Sequence, residues 1–170
     1  MLVVFGGLPG TGKSILAGGL ARRLRATYLR VDAIEAGLIA SGLVPDQQSV
    51  GATGYLLAHR VADSCLRVGL DVVVDAVNPV EPARAGWREL AADTGVPLTF
   101  VEVVCSDVER HRQQVETRQS DLPGWDVPDW EAVRTRDYEA WTGDRIVVDN
   151  IGDPAAHIER ILTTLSPPSE

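Results

Sequence analysis

The chain has 170 residues, 45% of them hydrophobic, so its size and composition predict one globular domain with a full apolar core. Its formal net charge of −8 argues against sequence-independent binding of a long nucleic acid, because that mode favours a positively charged protein. The two cysteines, Cys65 and Cys105, are too few for a disulfide framework or a zinc site, and no apolar run approaches the ~20 residues of a membrane span.

The first predicted element is a strand over residues 2–5, an unbroken apolar run of the kind that parallel sheets bury. Because this strand follows Met1 directly, we expect no leader peptide and predict a cytoplasmic location. A glycine loop comes next, and apolar residues at helical spacing then predict a helix over 13–25. The loop fits G-x-x-x-x-G-K-[ST] at every fixed position, and its residues are Gly7, Leu8, Pro9, Gly10, Thr11, Gly12, Lys13 and Ser14.

The succession of strand, glycine loop and helix is the context of a phosphate-binding loop. Glycines allow consecutive backbone N–H groups to point at phosphate oxygens, and the start of the helix adds a partial positive charge. Lys13 is the only lysine of the chain, and we expect it to reach the β- and γ-phosphates of a nucleotide. The Ser14 hydroxyl is expected to ligate Mg²⁺.

The rest of the chain alternates between strands and helices, which predicts a parallel sheet with helices on both faces. Ser106 and Glu109 have the spacing of a capping box, and Asp129 and Asp153 are expected to cap later helices. Further strands are predicted over 28–31, 72–74, 98–104 and 146–148, and further helices over 34–40, 50–68, 81–93, about 106–118, 130–141 and from 154 onward. Ligands of such sheets bind beyond the carboxyl ends of the strands, where Asp32 and Asp75 lie.

With these motifs the chain resembles the small P-loop kinases, a group that includes gluconate kinases, chloramphenicol phosphotransferases, zeta toxins and the kinase domain of polynucleotide kinases. The resemblance rests on the glycine loop, on Asp32, on the segment 72–78 with Arg84 after it, and on the arginine-rich segment before the last strand. It implies an α/β, three-layer P-loop NTPase fold with a five-stranded parallel sheet. It also implies a short helical lid at about 107–141. The length of the chain predicts one domain over 1–166, and its last residues predict a disordered tail at 167–170.

The resemblance implies transfer of the ATP γ-phosphate to a hydroxyl group, with Mg²⁺ as cofactor. Asp32 is then the base that orients the acceptor hydroxyl, although its position also suits a helix N-cap. Asp75 follows three valines and is costly to bury without a partner, so we expect it to hold Mg²⁺ through water. Asn78 and Arg84 are predicted at the acceptor, with a solvated helix face as the alternative for Arg84.

The arginine-rich segment resembles the lid that closes on ATP phosphates in these kinases. At least one of Arg110, Arg112 and Arg118 is expected to contact phosphate, and Arg118 is favoured. The histidine between the first two, His111, is expected to be exposed. Trp125 is a candidate to stack on the acceptor, whereas the other three tryptophans are expected to pack in the protein interior.

One position departs from the polynucleotide kinases, which have an arginine for the substrate phosphate three residues after the base aspartate. Here that residue is Glu35, whose carboxylate would repel a phosphate and favours hydroxyls or amines. The leading hypothesis is therefore an ATP-dependent kinase of a small molecule such as a sugar, an antibiotic or another metabolite. A polynucleotide 5′-hydroxyl kinase, a nucleoside monophosphate kinase and a non-catalytic nucleotide switch are the alternatives. The acceptor and the oligomeric state stay open.

The switch has the least support in the sequence, because the segment from Asp75 reads D-A-V-N rather than D-x-x-G. An N-K-x-D guanine motif is also absent, since Lys13 is the only lysine.

Overall fold

The computed structural model describes residues 1–165, so the predicted disordered tail at 167–170 lies outside the described residues. Five strands form one parallel sheet in the order β2-β3-β1-β4-β5. The strands are β1 (Leu2–Gly6), β2 (Thr27–Arg30), β3 (Val72–Asp75), β4 (Leu98–Val104) and β5 (Ile146–Asp149). This order places β1, which leads into the glycine loop, at the centre of the sheet.

Seven α-helices connect the strands within the described part of the chain. They are α1 (Lys13–Leu24), α2 (Val31–Ala40), α3 (Thr53–Arg67), α4 (Glu81–Thr94), α5 (Val108–Thr117), α6 (Trp130–Arg134) and α7 (Pro154–Leu165), with a 3₁₀ turn at Gln48–Val50. No helix within residues 1–165 combines the length and the apolar content needed to cross a bilayer.

The alternation of side chains along β1 produces two cores, one on each face of the sheet. Leu2 and Val4 pack in a cluster with α3, α4 and the buried ring of Trp87. Val3 and Phe5 pack on the other face in a cluster with α1 and α7. Helices therefore cover both faces, and the predicted three-layer architecture with a five-stranded parallel sheet is confirmed.

The predicted helix over 130–141 is wrong, because α6 ends at Arg134. Its start is confirmed, since the Asp129 carboxylate accepts a hydrogen bond from the Ala132 amide at 2.8 Å. The chain after α6 instead turns inward so that Trp141 is buried, with its ring edge-on to Phe100. Burial of an indole ring outweighs the weak preference for extending a short exposed helix.

The predicted capping box at Ser106 is also wrong, because the N-cap of α5 is Asp107, which accepts a hydrogen bond from the Arg110 amide. Ser106 instead hydrogen-bonds through its amide and its hydroxyl to the Asp149 carboxylate at the end of β5. Helix α2 begins three residues earlier than predicted, directly after β2. The first two residues of α2 therefore lie at the carboxyl edge of the sheet.

Candidate active site

The glycine loop lies between β1 and α1 and requires glycine at three positions. Gly7 has φ of 142°, and a Cβ atom there would overlap with a main-chain carbonyl of β4. Gly10 and Gly12 both have φ of 84°, a left-handed conformation that disfavours residues with a side chain. A Cβ atom at Gly10 would overlap with Val115, and one at Gly12 would overlap with the amide of Asn150. All three glycines of the motif are thus fixed by backbone conformation and by the close approach of β4, α5 and the β5–α7 loop.

Two side chains from distant parts of the chain hold the loop by its carbonyl groups. The Asn150 amide donates to the Thr11 carbonyl at 2.9 Å, and the His111 ring donates from Nε2 to the Pro9 carbonyl at 2.8 Å. His111 is 7% exposed, so the prediction that it lies on the surface is wrong. No local signal in the sequence identifies this role, because the partner lies 102 residues away.

Lys13 and Asp75 form a buried ion pair, with the Lys13 ammonium 2.9 Å from Oδ1 of Asp75. The adjacency of β1 and β3 brings them together, because Phe5 and Asp75 are partners in the parallel ladder. Tyr28, which sequence reasoning missed, donates its hydroxyl to the other carboxylate oxygen of Asp75 at 2.7 Å. Asp75 therefore has a charged partner and a neutral partner at once.

Burial alone would raise the pKa of Asp75. The positive charge of Lys13 and hydrogen bonds from Ser14, Lys13 and Tyr28 outweigh that effect, and the pKa of Asp75 is lowered. Burial and the nearby charge of Asp75 raise the pKa of the Tyr28 hydroxyl, so it remains a donor. Asp75 is accordingly ionised at neutral pH.

The ionised Asp75 and the Ser14 hydroxyl are hard oxygen donors of the kind that Mg²⁺ prefers. A P-loop magnesium site uses one hydroxyl, phosphate oxygens and water-mediated contact to a carboxylate, so it needs no cluster of protein carboxylates. The residues present therefore fit Mg²⁺.

A cavity of about 340 Å³ opens above the glycine loop, and we call it the phosphate-loop cavity. Lys13 and Ser14 line its floor, and Gln114, Thr117 and Arg118 line it from the α5 side. Arg30, at the end of β2, and Asp121 close its edge through a two-pronged ion pair with distances of 2.6 and 3.0 Å. The segment after α5 thus lies over the loop and is tied to the sheet.

A second cavity of about 380 Å³ lies beside the first, and we call it the α2 cavity. Asp32 and Glu35 line it from one face of α2, because residues three apart in a helix are neighbours. Its other walls carry Tyr55, Trp125 and Arg136, among other residues. Arg118 lines both cavities.

The two carboxyl groups of the α2 cavity differ in their surroundings. Asp32 lies in the first turn of α2, which begins at Val31 without a side-chain cap, so the N-cap alternative for Asp32 is wrong. Burial and the neighbouring charge of Asp32 raise the pKa of Glu35 to about 7. Arg136 opposes this shift without reversing it.

Three residues predicted at the site lie elsewhere. Asn78 is fully buried and binds the Phe5 carbonyl and the Trp87 indole, so its predicted contact with substrate is wrong. Arg112 pairs with Glu116 on the exposed side of α5 and lines neither cavity, so the structure does not bring it to the glycine loop.

Arg84 is 1% exposed, which excludes both the acceptor contact and the solvated face predicted for it. Its guanidinium lies 4.3 Å from the ring centroid of Trp141. It donates hydrogen bonds to the main-chain carbonyls of Asn78, Pro79, Glu139 and Ala140. Arg84 is therefore a structural residue that joins the β3–α4 loop to the segment after α6.

Comparison with known proteins finds a match between residues 2–135 and the family model AAA_33, described as an AAA domain. An uncharacterised protein of Mycobacterium tuberculosis is 34% identical over 115 residues, which are 62% of this chain and 23% of that protein. The matched region thus spans under a quarter of the relative's length. Adenylyl-sulfate kinase of a Synechococcus species is 32% identical over 109 residues, which are 59% of this chain and 56% of that enzyme.

Among solved structures, a putative kinase from Chloroflexus aurantiacus superimposes with a TM-score of 0.78 and 22% identity. The superposition covers 97% of this chain and 98% of that one. At this level of identity the similarity establishes a shared fold.

Proposed function

The chain belongs to the AAA_33 family of AAA domains, and from its two adjoining cavities we propose that it is an ATP-dependent kinase of small-molecule hydroxyl groups. One observation supports this more than any other. Arg118 lines the phosphate-loop cavity and the α2 cavity together, so one guanidinium is within reach of a donor and an acceptor. A nucleotide switch needs only the first cavity.

In the proposed reaction the amides of the glycine loop and Lys13 hold the ATP phosphates. The Lys13 ammonium then leaves the Asp75 carboxylate and binds phosphate oxygens instead. The acceptor hydroxyl in the α2 cavity attacks the γ-phosphorus, its proton passes to Asp32, and the bond from the γ-phosphorus to the bridging oxygen breaks to release ADP. Arg118 offsets the charge on the transferring phosphoryl group. Ser14, and Asp75 through water, would hold Mg²⁺, which would supply further positive charge to the phosphates.

A matching kinase acts on adenylyl sulfate, but that acceptor is not carried over to this chain. The net charge of −8 and the carboxylate of Glu35 both oppose a polyanionic acceptor. The proposal therefore favours a small acceptor over an oligonucleotide.

The test is ADP formation with ATP and Mg²⁺ over a panel of sugars, aminoglycoside and phenicol antibiotics, nucleosides and 5′-hydroxyl oligonucleotides. We expect acceleration by at least one small hydroxyl compound, with a phosphorylated product detected by mass spectrometry. ADP formation that no acceptor accelerates would indicate a simple nucleotide hydrolase. Nucleotide binding without turnover would favour a switch, and transfer only to the oligonucleotides would favour a polynucleotide kinase.

A further inference from the structure

We propose that the acceptor carries one ammonium group, which the Glu35 carboxylate binds in the α2 cavity while Asp32 takes the reacting hydroxyl. This inference rests on the proposed kinase activity and specifies its substrate class.

The position of Glu35 is fixed by the helix opposite. A Cβ atom at Gly54, in the first turn of α3, would overlap with the side chain of Glu35. Glycine at this position therefore gives the Glu35 side chain the space it occupies between α2 and α3. The side chain lies along this surface and faces the cavity.

The Glu35 carboxylate is also without a protein partner. Within residues 1–165 it is in no ion pair and accepts no hydrogen bond, although it is half-buried. Carboxylates removed from water are normally paired or hydrogen-bonded, because desolvation otherwise disfavours the charge. An unpartnered carboxylate that lines a cavity is suited to a ligand that brings the missing partner.

The charges of the cavity indicate what that partner is. Two carboxylates, Asp32 and Glu35, face two guanidinium groups, Arg118 and Arg136. Arg118 also lines the phosphate-loop cavity, and in the proposed reaction its guanidinium binds the ATP phosphates there. With Arg118 assigned to phosphate, the remaining side chains carry one net negative charge, which a single ammonium group neutralises.

The aromatic wall of the cavity is compatible with the same ligand. Trp125 lines the cavity together with Glu35, and an indole face attracts an ammonium group through its quadrupole. A carboxylate and an indole in one cavity form a recognised environment for amines, whereas a ligand phosphate or carboxylate placed beside Glu35 would be repelled.

The proposal predicts a pH dependence that separates amines from neutral acceptors. Burial and the charge of Asp32 raise the pKa of Glu35 to about 7, and Arg136 is the cation that opposes them. Tyr55 also lines this cavity, and its hydroxyl accepts a hydrogen bond from the Asn78 amide. It does not titrate near neutrality, since burial raises its pKa as well. Glu35 thus becomes ionised as pH rises through about 7, while an alkylammonium keeps its proton. We expect the affinity for amines to increase as the pH rises over that range, and the affinity for polyols to stay constant.

The experiment measures binding to the protein saturated with AMPPNP and Mg²⁺, by titration calorimetry or ligand-observed NMR. Two matched pairs serve as probes, glucamine against sorbitol and 2-amino-1,3-propanediol against glycerol, with gluconate as the anionic probe. We expect each amine to bind at least tenfold more tightly than its polyol at pH 8, and gluconate to bind most weakly. Amine affinity should fall by about tenfold between pH 8 and pH 6, because the ionised fraction of Glu35 falls by that factor.

Two variants and a control make the result specific to Glu35. Glu35→Gln keeps the shape but removes the charge, so it should abolish both the preference for amines and the pH dependence. Gly54→Ala displaces the same side chain without changing any charge and should weaken amine binding more than polyol binding. Glu159→Gln is the control, because Glu159 pairs with Arg23 on the exposed surface and lines neither cavity. Circular dichroism and thermal melts verify that each variant is folded.

The inference is overturned if polyols bind as tightly as amines, if Glu35→Gln keeps the preference, or if no amine binds to the AMPPNP complex. Failure of the kinase proposal has a different signature. It is an absence of AMPPNP binding by the wild-type protein, or ADP formation that no hydroxyl compound accelerates.

Discussion

Lys13 and Asp75 are held together beside the phosphate-loop cavity, and each is almost fully buried. A buried ion pair gives little net stability by itself, but removing one partner leaves an uncompensated charge. In the proposed reaction the same lysine binds the ATP phosphates. Activity and stability are therefore coupled at this residue.

Lys13→Ala is expected to lower turnover by several orders of magnitude, because it removes a charge from the transferring phosphoryl group. It should also lower the free energy of unfolding by about 3 kcal/mol at pH 7, since Asp75 loses its charged partner. Urea denaturation measures the second effect, and Asp75→Asn in the same chain should restore most of it. Undiminished transfer by a folded Lys13→Ala protein would defeat the assignment.

Asp75 ends β3 and Asp32 lies in the first turn of α2, directly after the neighbouring strand β2, but the two carboxylates are assigned different partners. Asp32→Asn keeps the shape and loses the proton acceptor, so transfer should fall by roughly 10²–10⁴-fold while ATP–Mg²⁺ affinity stays within a few-fold. Asp75→Asn should first raise the Mg²⁺ requirement, with turnover partly recovered at high metal concentration. A Mg²⁺ titration of both variants distinguishes them. Rescue of Asp32→Asn alone would mean that the two roles are exchanged.

At the scale of elements, α5 and the chain that follows it as far as Asp121 line one side of the phosphate-loop cavity. This segment is tied to β2 by the ion pair of Asp121 with Arg30, and Arg30 is largely buried whereas Asp121 is exposed. Elements that close on a substrate usually have few buried contacts of their own and open on slow timescales. The Arg30–Asp121 pair is thus a contact that nucleotide phosphates would compete for.

Asp121→Asn should weaken that contact and increase amide hydrogen exchange over residues 118–128 in the protein without nucleotide. Addition of ATP and Mg²⁺ should slow exchange in the wild-type protein across the predicted lid, 107–141. Glu116→Gln is the matched control, because it breaks an exposed ion pair on α5 that faces neither cavity. Equal exchange with and without nucleotide would count against a lid.

Arg84 joins two segments that are far apart in the chain, since its partners include Asn78 and Glu139. Arg84→Met should leave buried carbonyls without donors and lower the free energy of unfolding by about 2–4 kcal/mol. Arg88→Met, on the same helix, removes a partly exposed arginine that pairs with Glu81 and should change stability by less than about 1 kcal/mol. Chemical denaturation of the pair tests this, and equal losses would show that the burial of Arg84 is not the cause.

The order of strands and helices could be predicted from the sequence because local apolar periodicity determines it. The glycine loop could also be predicted from the sequence, because its glycines, Lys13 and Ser14 follow a fixed local spacing. Residues whose role depends on distant partners could not be found this way. His111, Tyr28 and Arg84 have partners 102, 47 and up to 56 residues away, and no pattern of neighbours reports such contacts.

The end of α6 illustrates the same limit at the level of an element. Local propensity favoured continuation of the helix to residue 141, but burial of Trp141 against Phe100 and the contacts of Arg84 determine the path of the chain. Tertiary packing outweighed a propensity difference of a few tenths of a kcal/mol per residue.

For the whole molecule, the charge on Glu35 links the α2 cavity to overall stability. Its pKa is near 4.5 when unperturbed and about 7 in the folded chain. Between these pH values the folded protein binds more protons than the unfolded chain, so the free energy of unfolding falls as pH rises and the loss is complete above about 7. Asp75 has the opposite effect on the pH dependence of stability, because its pKa is lowered on folding. The stability that its ionised form contributes is lost as the pH falls through the acid range.

Glu35→Gln should therefore raise the free energy of unfolding at pH 8 and have almost no effect at pH 4.5. The pKa difference corresponds to roughly 3 kcal/mol, and solvent screening of this half-buried side chain reduces the expected gain to about 1–2 kcal/mol. Urea denaturation of wild type, Glu35→Gln and the control Glu159→Gln at both pH values measures this gain in the free energy of unfolding. The contribution of Asp75 cancels between wild type and variant.

A gain that is equal at both pH values would show that the effect is not electrostatic. A loss at pH 8 would show that Glu35 already has a stabilising partner in the protein. A gain confined to the higher pH, together with weakened amine binding, would mean that this carboxylate lowers the stability of the free protein and recovers it when the acceptor binds.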